Sequence, residues 1–322
     1  MTRDQVAQRA GVSTAVVSYV INDGPRRVSD DARARVLAAI AELGYQRDGV
    51  ARMLAMGRSL SIALVVPDIG IPYFGRVANS ISTLASAQGY QLLVGTTNWD
   101  LDVERTHLRA LAERRVEGII LMSVDPSQDF AQFSTLGIPV AIVDRPEFAV
   151  EGSAAATEHL IGHGHRTIGM IGASIEFIAN RRRRDGWLMA MHSAGLQTPD
   201  DLMVSADFSS RGGYEGVGRL LTSRPDITAL YVSSDLQAIG TLRRLHELGI
   251  RVPEDLALMT SDATDIAEFA VPSISSLAQP ELDIAEIALD AVLGAGAEGV
   301  KHIDVLGYEL VLRESCGCTT TR

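Results

Sequence analysis

From Ser59 onward the chain alternates short apolar runs with amphipathic stretches, and it does so in two similar blocks. The runs SIALVVPD (61–68), YQLLVGT (90–96), VEGIILM (116–122) and IPVAIVD (138–144) make the first block. RTIGMIG (166–172), LMVSAD (202–207), ITALYVSS (227–234) and LALMTSD (256–262) make the second. Many of the intervening helical stretches hand over through a glycine, as at Gly89, Gly137, Gly195 and Gly249. Strand–helix alternation of this kind predicts an α/β fold with parallel sheets covered on both faces. Two blocks predict two lobes. Ligands of such sheets bind beyond the carboxyl ends of the strands, so pairing two lobes turns that edge into a cleft.

The length of 322 residues implies about two or three folding units rather than a single core. Apolar residues are 46% and aromatic residues 5%, which suits a large protein packed on aliphatic side chains. No apolar run approaches the ~18–20 residues of a membrane span. The start, Met1-Thr2-Arg3-Asp4-Gln5, lacks the apolar core of a secretory leader. Cys316 and Cys318 sit together with no framework of spaced pairs. The expectation is a reduced, cytoplasmic setting with no membrane partner.

The net charge of −11 argues against nucleic acid only as an average. The first 58 residues hold nine arginines against six acids, a balance of +3, and the remainder carries −14. A small basic head on an acidic body fits a phosphate-binding module carried by something that should not itself adhere to DNA.

That head reads as three short helices. Val6, Ala7 and Ala10 give the first an apolar stripe that Gly11 ends. Ser13 caps the second, where Val16, Val17, Val20 and Ile21 recur at helical spacing. Ser29 with Asp30 and Asp31 starts the third, whose expected buried face is Val36, Leu37, Ile40 and Leu43, with Gly44 as its stop. Small residues where two helices cross, a glycine able to take a left-handed turn and a capped second helix are what a helix-turn-helix requires. Thr14, Ala15, Ser18 and Tyr19 lie off the apolar face, placed to reach base edges or phosphates. As a bare pattern, the three helices are equally compatible with an anonymous bundle.

The strings AxRAGVSxxxVSxVIN (7–22), VSDDARARVLAAIAELGY (28–45) and VARMLAMGRS (50–59) resemble the head and hinge of the lac repressor (LacI/GalR) family. The likeness continues through PDIGIPYF, ERRVEGIIL, GIPVAIVDRP, TEHLIGHGHRTIGMIG, GIRVPEDLAL and ELVLRES, covering essentially the whole chain. The resemblance implies a helix-turn-helix domain over 1–46, a hinge helix or linker over 47–58, and a two-lobed, periplasmic-binding-protein-like domain over 59–322. Lobe one is expected at about 59–145 and 276–303, lobe two at about 146–275 and 304–322. It further implies a homodimer on a near-palindromic operator, because paired half-sites match a twofold axis. Thr14, Ala15 and Tyr19 fall where members contact base edges. Leu54 matches the hinge leucine that members wedge into the minor groove, with Arg52 and Arg58 beside it as phosphate contacts. Many members carry arginine where this chain has Tyr19, and tyrosine cannot reproduce arginine's bidentate grip on guanine.

In the body, polar and aromatic residues gather at the ends of the expected strands: Asp68, Tyr73 and Phe74; Asp144 and Arg145; Ser234 and Asp235; Asp262. Carboxylates and arginine can bind sugar hydroxyls while an aromatic face packs on the C–H surface. An Asp after a strand is also a common helix cap, and Tyr73 or Phe74 could be plain core. The resemblance puts Tyr73, Phe74, Arg183, Phe208, Ser234 and Asp262 at effector-contacting positions, and Asp144 joins them from its place at a strand end. Between Asp144 and Gly152 the chain is shorter than is usual in the family.

His159, His163 and His165 mimic a metal cluster, but their place at a helix end is one where histidines satisfy carbonyls and the helix dipole. Cys316-Gly317-Cys318 is too isolated for a four-ligand structural zinc site. Neither a metal nor a cofactor is expected, and no phosphate loop, nucleophile elbow or dinucleotide fingerprint is correctly placed for catalysis. The expected function is a sequence-specific DNA-binding regulator, a repressor, controlled by a sugar or sugar derivative between the lobes. The alternative is a sugar-binding or sugar-sensing protein without effector-regulated DNA binding. An enzyme on the same scaffold is a weaker third, since fold does not fix function.

Overall fold

The computed structural model describes residues 1–22, 27–45, 57–130, 133, 137–144, 148–304 and 307–318; the side chains of Asn22 and Asp144 lie outside the described set. The chain divides into two compact units, Met1–Arg58 and Ser59–Arg322.

The first unit holds α1 (Arg3–Ala10), α2 (Thr14–Asn22) and α3 (Asp30–Leu43). Thr2 and Gln5 form a reciprocal cap on α1: the Thr2 amide donates to Gln5 Oε1 at 2.8 Å and the Gln5 amide to Thr2 Oγ1 at 3.3 Å. Gly11 takes a left-handed conformation, φ 64°, which lets α2 leave at once. Ser13 Oγ accepts from the Val16 amide and Ser29 Oγ from the Ala32 amide, each at 3.4 Å. The core is Val6, Ala7, Ala10, Val17, Val20, Val36 and Ala39. Leu37 departs from expectation at 52% exposed, and Ala39 is buried in its place. One residue along a helix turns the side chain by about 100°, so Leu37 falls off the stripe through 36, 39, 40 and 43.

The second unit is built on two sheets. The first, in the order β10-β4-β3-β1-β2, joins β1 (Ser61–Val66), β2 (Gln91–Thr96), β3 (Ile119–Leu121), β4 (Val140–Asp144) and β10 (Val300–Asp304), all parallel. The second, β11-β9-β8-β7-β5-β6, joins β5 (Ile168–Gly172), β6 (Met203–Ser205), β7 (Ala229–Val232), β8 (Ala257–Asp262), β9 (Ser275–Ala278) and β11 (Glu309–Val311). Its pairs are parallel except for β11 against β9. The first lobe packs α4 (Pro72–Ala87), α5 (Leu101–Glu113) and α11 (Glu281–Leu293) on its sheet. The second packs α6 (Ser153–Gly162), α7 (Ile178–Ser193), α8 (Ser210–Ser223) and α9 (Asp235–Glu247), followed by the short α10 (Asp265–Glu268).

The chain passes between sheets after β4, after β9 and again after β10. The second passage comes later than expected: residues 276–278 belong to the second sheet, because β9 runs parallel to β8 from Met259↔Ser275 to Asp262↔Ala278. Within the second lobe α8 and α9 touch backbone to backbone. A Cβ on Gly213 would lie 1.8 Å from the Gln237 carbonyl oxygen, and one on Gly240 would lie 1.6 Å from that of Ser210. Only glycine permits that approach.

Candidate functional site

In the head, α2 buries Val17 and Val20 and turns the opposite side outward. Thr14 and Ala15 are exposed, and Ser18 and Tyr19 are half-buried on the same side. A short capped helix with small polar groups and one aromatic on its open face has the dimensions to enter a major groove. Arg58 is exposed, while Arg52 and Leu54 lie outside the described residues.

In the body, the strand ends of both sheets face a cleft of about 910 Å³, part of it open to solvent. Tyr73 and Phe74, on the first turn of α4, meet at 5.2 Å between ring centroids. Trp99 follows β2, and its ring lies 4.8 Å from Phe177, which follows β5. The same indole stacks on Phe208, which follows β6, at 5.3 Å and 19° between planes. Trp99 belongs to the first lobe and both phenylalanines to the second, so the three rings close across the cleft. Six non-glycine residues have positive φ among those described: Asn98 (51°), Trp99 (64°), Asp262 (104°), Ala263 (47°), Leu60 and Arg115. The first four form two adjacent pairs at cleft-facing strand ends. Strain of this kind persists where surrounding structure holds it, and it gathers at binding sites.

The polar part of the cleft is built around Asp262 and Arg183. Burial pushes the Asp262 carboxyl above its ordinary range, against the pull of the Arg183 guanidinium. Its Oδ1 accepts from Gln279 Nε2 at 3.3 Å. Behind it Asp235, also raised by burial and by the charge of Asp262, follows β7 and ties it to β9 and to the segment after β8. Asp235 Oδ2 accepts from the Thr264 amide at 2.6 Å and from its hydroxyl at 2.8 Å, and Oδ1 accepts from Ser276 Oγ at 3.0 Å. Arg183 Nε is buried with no hydrogen-bond partner among the described residues. Its helix is seated by Asn180, whose Oδ1 accepts from the Ala173 amide at 2.9 Å while its Nδ2 donates to the Ala173 carbonyl at 2.6 Å. Across the cleft the buried Glu104, raised by desolvation, accepts from the Val124 amide at 2.9 Å and Ser123 Oγ at 2.8 Å. That contact fixes a loop of the first-lobe wall.

The structure brings Tyr73, Phe74, Arg183, Phe208, Ser234 and Asp262 to this one cleft. Ser234 also caps α9, its Oγ accepting from the Gln237 amide at 3.2 Å. Asp68 is instead a local device, its Oδ1 accepting from the Gly70 amide at 2.8 Å. Asp144 ends β4, with its side chain outside the described residues. Sequence reasoning missed Trp99, Phe148, Phe177 and Gln279, which all line the cleft. Trp99 stands three residues beyond a strand, in the same kind of position that singled out Ser234 and Asp262, and that placement was its available signal.

Residues 2–48 match the family described as bacterial regulatory proteins, lacI family, and residues 157–316 match the periplasmic binding protein-like domain. The chain is similar to the HTH-type transcriptional repressor PurR of Haemophilus influenzae, with 33% identity over 98% of each chain. It is 32% identical to the protein of the same name from Serratia proteamaculans, over 91% of this chain and 89% of that one. Among solved structures it resembles the transcriptional regulator CelR–cellobiose complex, at 27% identity and a TM-score of 0.67 over 98% of this chain and 99% of that one. The lac repressor dimer bound to operator and the anti-inducer ONPF shares the fold, with a TM-score of 0.82 over 98% and 99% at 24% identity.

Proposed function

The chain belongs to the lacI family of bacterial regulatory proteins and is a DNA-binding transcriptional repressor of that family; from that premise we propose that a small molecule held between its two lobes sets its affinity for an operator. The observation that carries this reading is the cleft, where aromatic faces from both lobes meet the Arg183–Asp262 cation–carboxylate pair of the second. Flat rings from both lobes, with Asp262, Arg183 and Gln279 of the second lobe beside them, suit a sugar or sugar derivative, whose hydroxyls need directed partners and whose C–H faces need apolar cover. The similarity to a regulator solved with cellobiose supports the same ligand class. Ligand affects DNA only through a difference in its affinity for two arrangements of the lobes.

In this reading 1–46 is the DNA-reading head, 47–58 the hinge and 59–322 the sensing body. Thr14, Ala15, Ser18 and Tyr19 reach base edges and phosphates, Leu54 wedges a base step, and Arg52 and Arg58 hold phosphates. Two copies are needed to occupy two half-sites. The edge strand β2 supports pairing of bodies, since Leu93 and Val94 are 38% and 46% exposed there and an apolar edge invites a partner. The described residues contain no helix long and apolar enough to cross a membrane. A regulator that finds its operator works in the cytoplasm.

The test is selection of genomic fragments on the purified protein, followed by gel-shift titration with and without mono- and disaccharides. The expected result is one palindromic site whose affinity changes with a particular sugar. Sugar binding with no duplex preferred over random sequence would favour the alternative, a sensing protein without operator control.

A further inference from the structure

We propose that His159, His163 and Cys318 form a transition-metal site, apart from the interlobe cleft, that binds Zn²⁺ and fastens the C-terminal turn to helix α6. The sequence separates the histidines from the cysteine by more than 150 positions, and read in sequence they belong to a helix end and a tail. The fold brings them together. His159 lies on α6 and His163 caps it four residues on, so both rings stand on one side with centroids 4.7 Å apart.

The C-terminal turn, Glu314–Cys316, is anchored by Ser315. Its hydroxyl donates to the Leu258 carbonyl at 2.6 Å and accepts from the Ser275 amide at 2.8 Å. Gly317, at φ 86°, then turns the chain back. Cys318 Sγ arrives 3.5 Å from His159 Nε2 and 3.3 Å from His163 Nε2.

These separations are those of ligand atoms around one tetrahedral ion. Zn–S of about 2.3 Å and Zn–N of about 2.0–2.1 Å put sulfur and nitrogen roughly 3.5 Å apart at tetrahedral angles. All three ligand atoms lie within 4.8 Å of one another. One thiolate with two imidazoles is a donor set suited to Zn²⁺ or Cu²⁺ and poor for Mg²⁺ or Ca²⁺. His165 is engaged elsewhere, its Nδ1 3.0 Å from Thr228 Oγ1. Cys316 Sγ is turned toward the Arg313 carbonyl, at 3.6 Å. His163 is exposed, so water completes the coordination. Binding releases the Cys318 thiol proton to solvent, and no redox change is involved.

The test uses untagged full-length protein, reduced, freed of metal and titrated with Zn²⁺ and, for spectroscopy, Co²⁺. The expected result is one ion per chain at micromolar metal, a thiolate-to-cobalt charge-transfer band, and a thermal midpoint raised by Zn²⁺. Cys318→Ser should remove the charge-transfer band, and it and His163→Ala should each weaken binding at least about tenfold, since losing even an outer partner of a metal site costs about 10–100-fold. Stoichiometric binding that survives Cys318→Ser with its band intact, or no retention of either ion by the parent protein, would overturn the assignment. The variants sit on partly exposed side chains, so a folded circular dichroism spectrum accompanies each measurement.

Discussion

Trp99 and Phe208 stack across the mouth of the cleft with ring centroids 5.3 Å apart and planes 19° from parallel. The two residues come from different lobes, so the contact exists only while the lobes are closed around the cleft. An aromatic pair of this kind contributes about 0.5–1.5 kcal/mol beyond its buried area. Trp99→Ala is therefore expected to weaken sugar binding roughly three- to tenfold, measured by calorimetry, with operator affinity in the absence of ligand little changed. The remaining tryptophan, Trp187, is buried. Ligand-dependent fluorescence should therefore vanish in Trp99→Phe; a signal that persists would place ligand away from these rings.

Arg183 is half-buried beside Asp262, its Nε shielded from solvent, on a helix seated by Asn180. Hydrogen bonds to a charged group are worth about 1.5–3 kcal/mol. Arg183→Ala should cost ligand binding roughly 10- to 100-fold, and Arg183→Lys should recover only part of it because an ammonium lacks the planar fork. Unchanged affinity in both variants would remove Arg183 from the site.

The carboxyl pair predicts a pH signature. Burial raises Asp262, and burial together with the charge of Asp262 raises Asp235. Across the interval above the ordinary carboxylate range the folded protein then holds more protons than the unfolded chain. By linkage, the pair's contribution to stability falls as pH rises through that interval. Asp262→Asn deletes one member and relieves the other. Its stability relative to the parent should improve steadily from pH ~4 toward 7, as followed by urea unfolding at each pH. A difference that stays flat, or runs the other way, contradicts the burial argument.

At the DNA end, Tyr19 is half-buried on the open side of α2, and Leu54 belongs to the proposed hinge, outside the described residues. Tyr19→Arg should shift the preferred operator toward guanine at one symmetric position per half-site, by about 1–3 kcal/mol of discrimination. Leu54→Ala should weaken operator binding while leaving sugar binding intact. Sequencing of retained fragments reads the first and gel-shift titration the second. Equal operator affinity for Leu54→Ala removes the wedge role.

Gly240 faces the Ser210 carbonyl with no room for a side-chain carbon. Gly240→Ala should lower unfolding free energy by about 1–3 kcal/mol or more, visible as a lower urea midpoint. A variant as stable as the parent would mean that α8 and α9 separate easily.

The strands of both blocks were legible because their apolar runs are continuous and bounded by turn residues. Ser275–Ala278 was not, for a physical reason. Its buried Ser275 and Ser276 look like loop residues, yet each hydroxyl is used: Ser275 Oγ accepts from the Arg313 amide at 2.8 Å, and Ser276 Oγ donates to Asp235. Polarity satisfied inside a sheet leaves no hydrophobic trace. β10 escaped notice likewise, because Lys301 and His302 on an edge strand read as solvent-facing loop. The cleft residues Tyr73, Phe74, Ser234 and Asp262 could be reached through strand ends. Phe177 could not, because it lies five residues past β5, where local pattern says nothing about which wall it faces. Leu37 shows the converse, since apolar character alone did not put it inside.

The seat of α8 on α9, each helix's glycine against a carbonyl of the other, bears on how, in the proposed regulator, a small ligand could move a pair of DNA-reading heads. Helices in contact at their main chains have no side-chain cushion to compress, so the second lobe has little slack in which a push at Asp262 could be absorbed. In the proposed regulator, a displacement begun at the strand tips would instead pass to the three places where the chain steps between sheets, much as a stiff lever delivers its travel to the pivot.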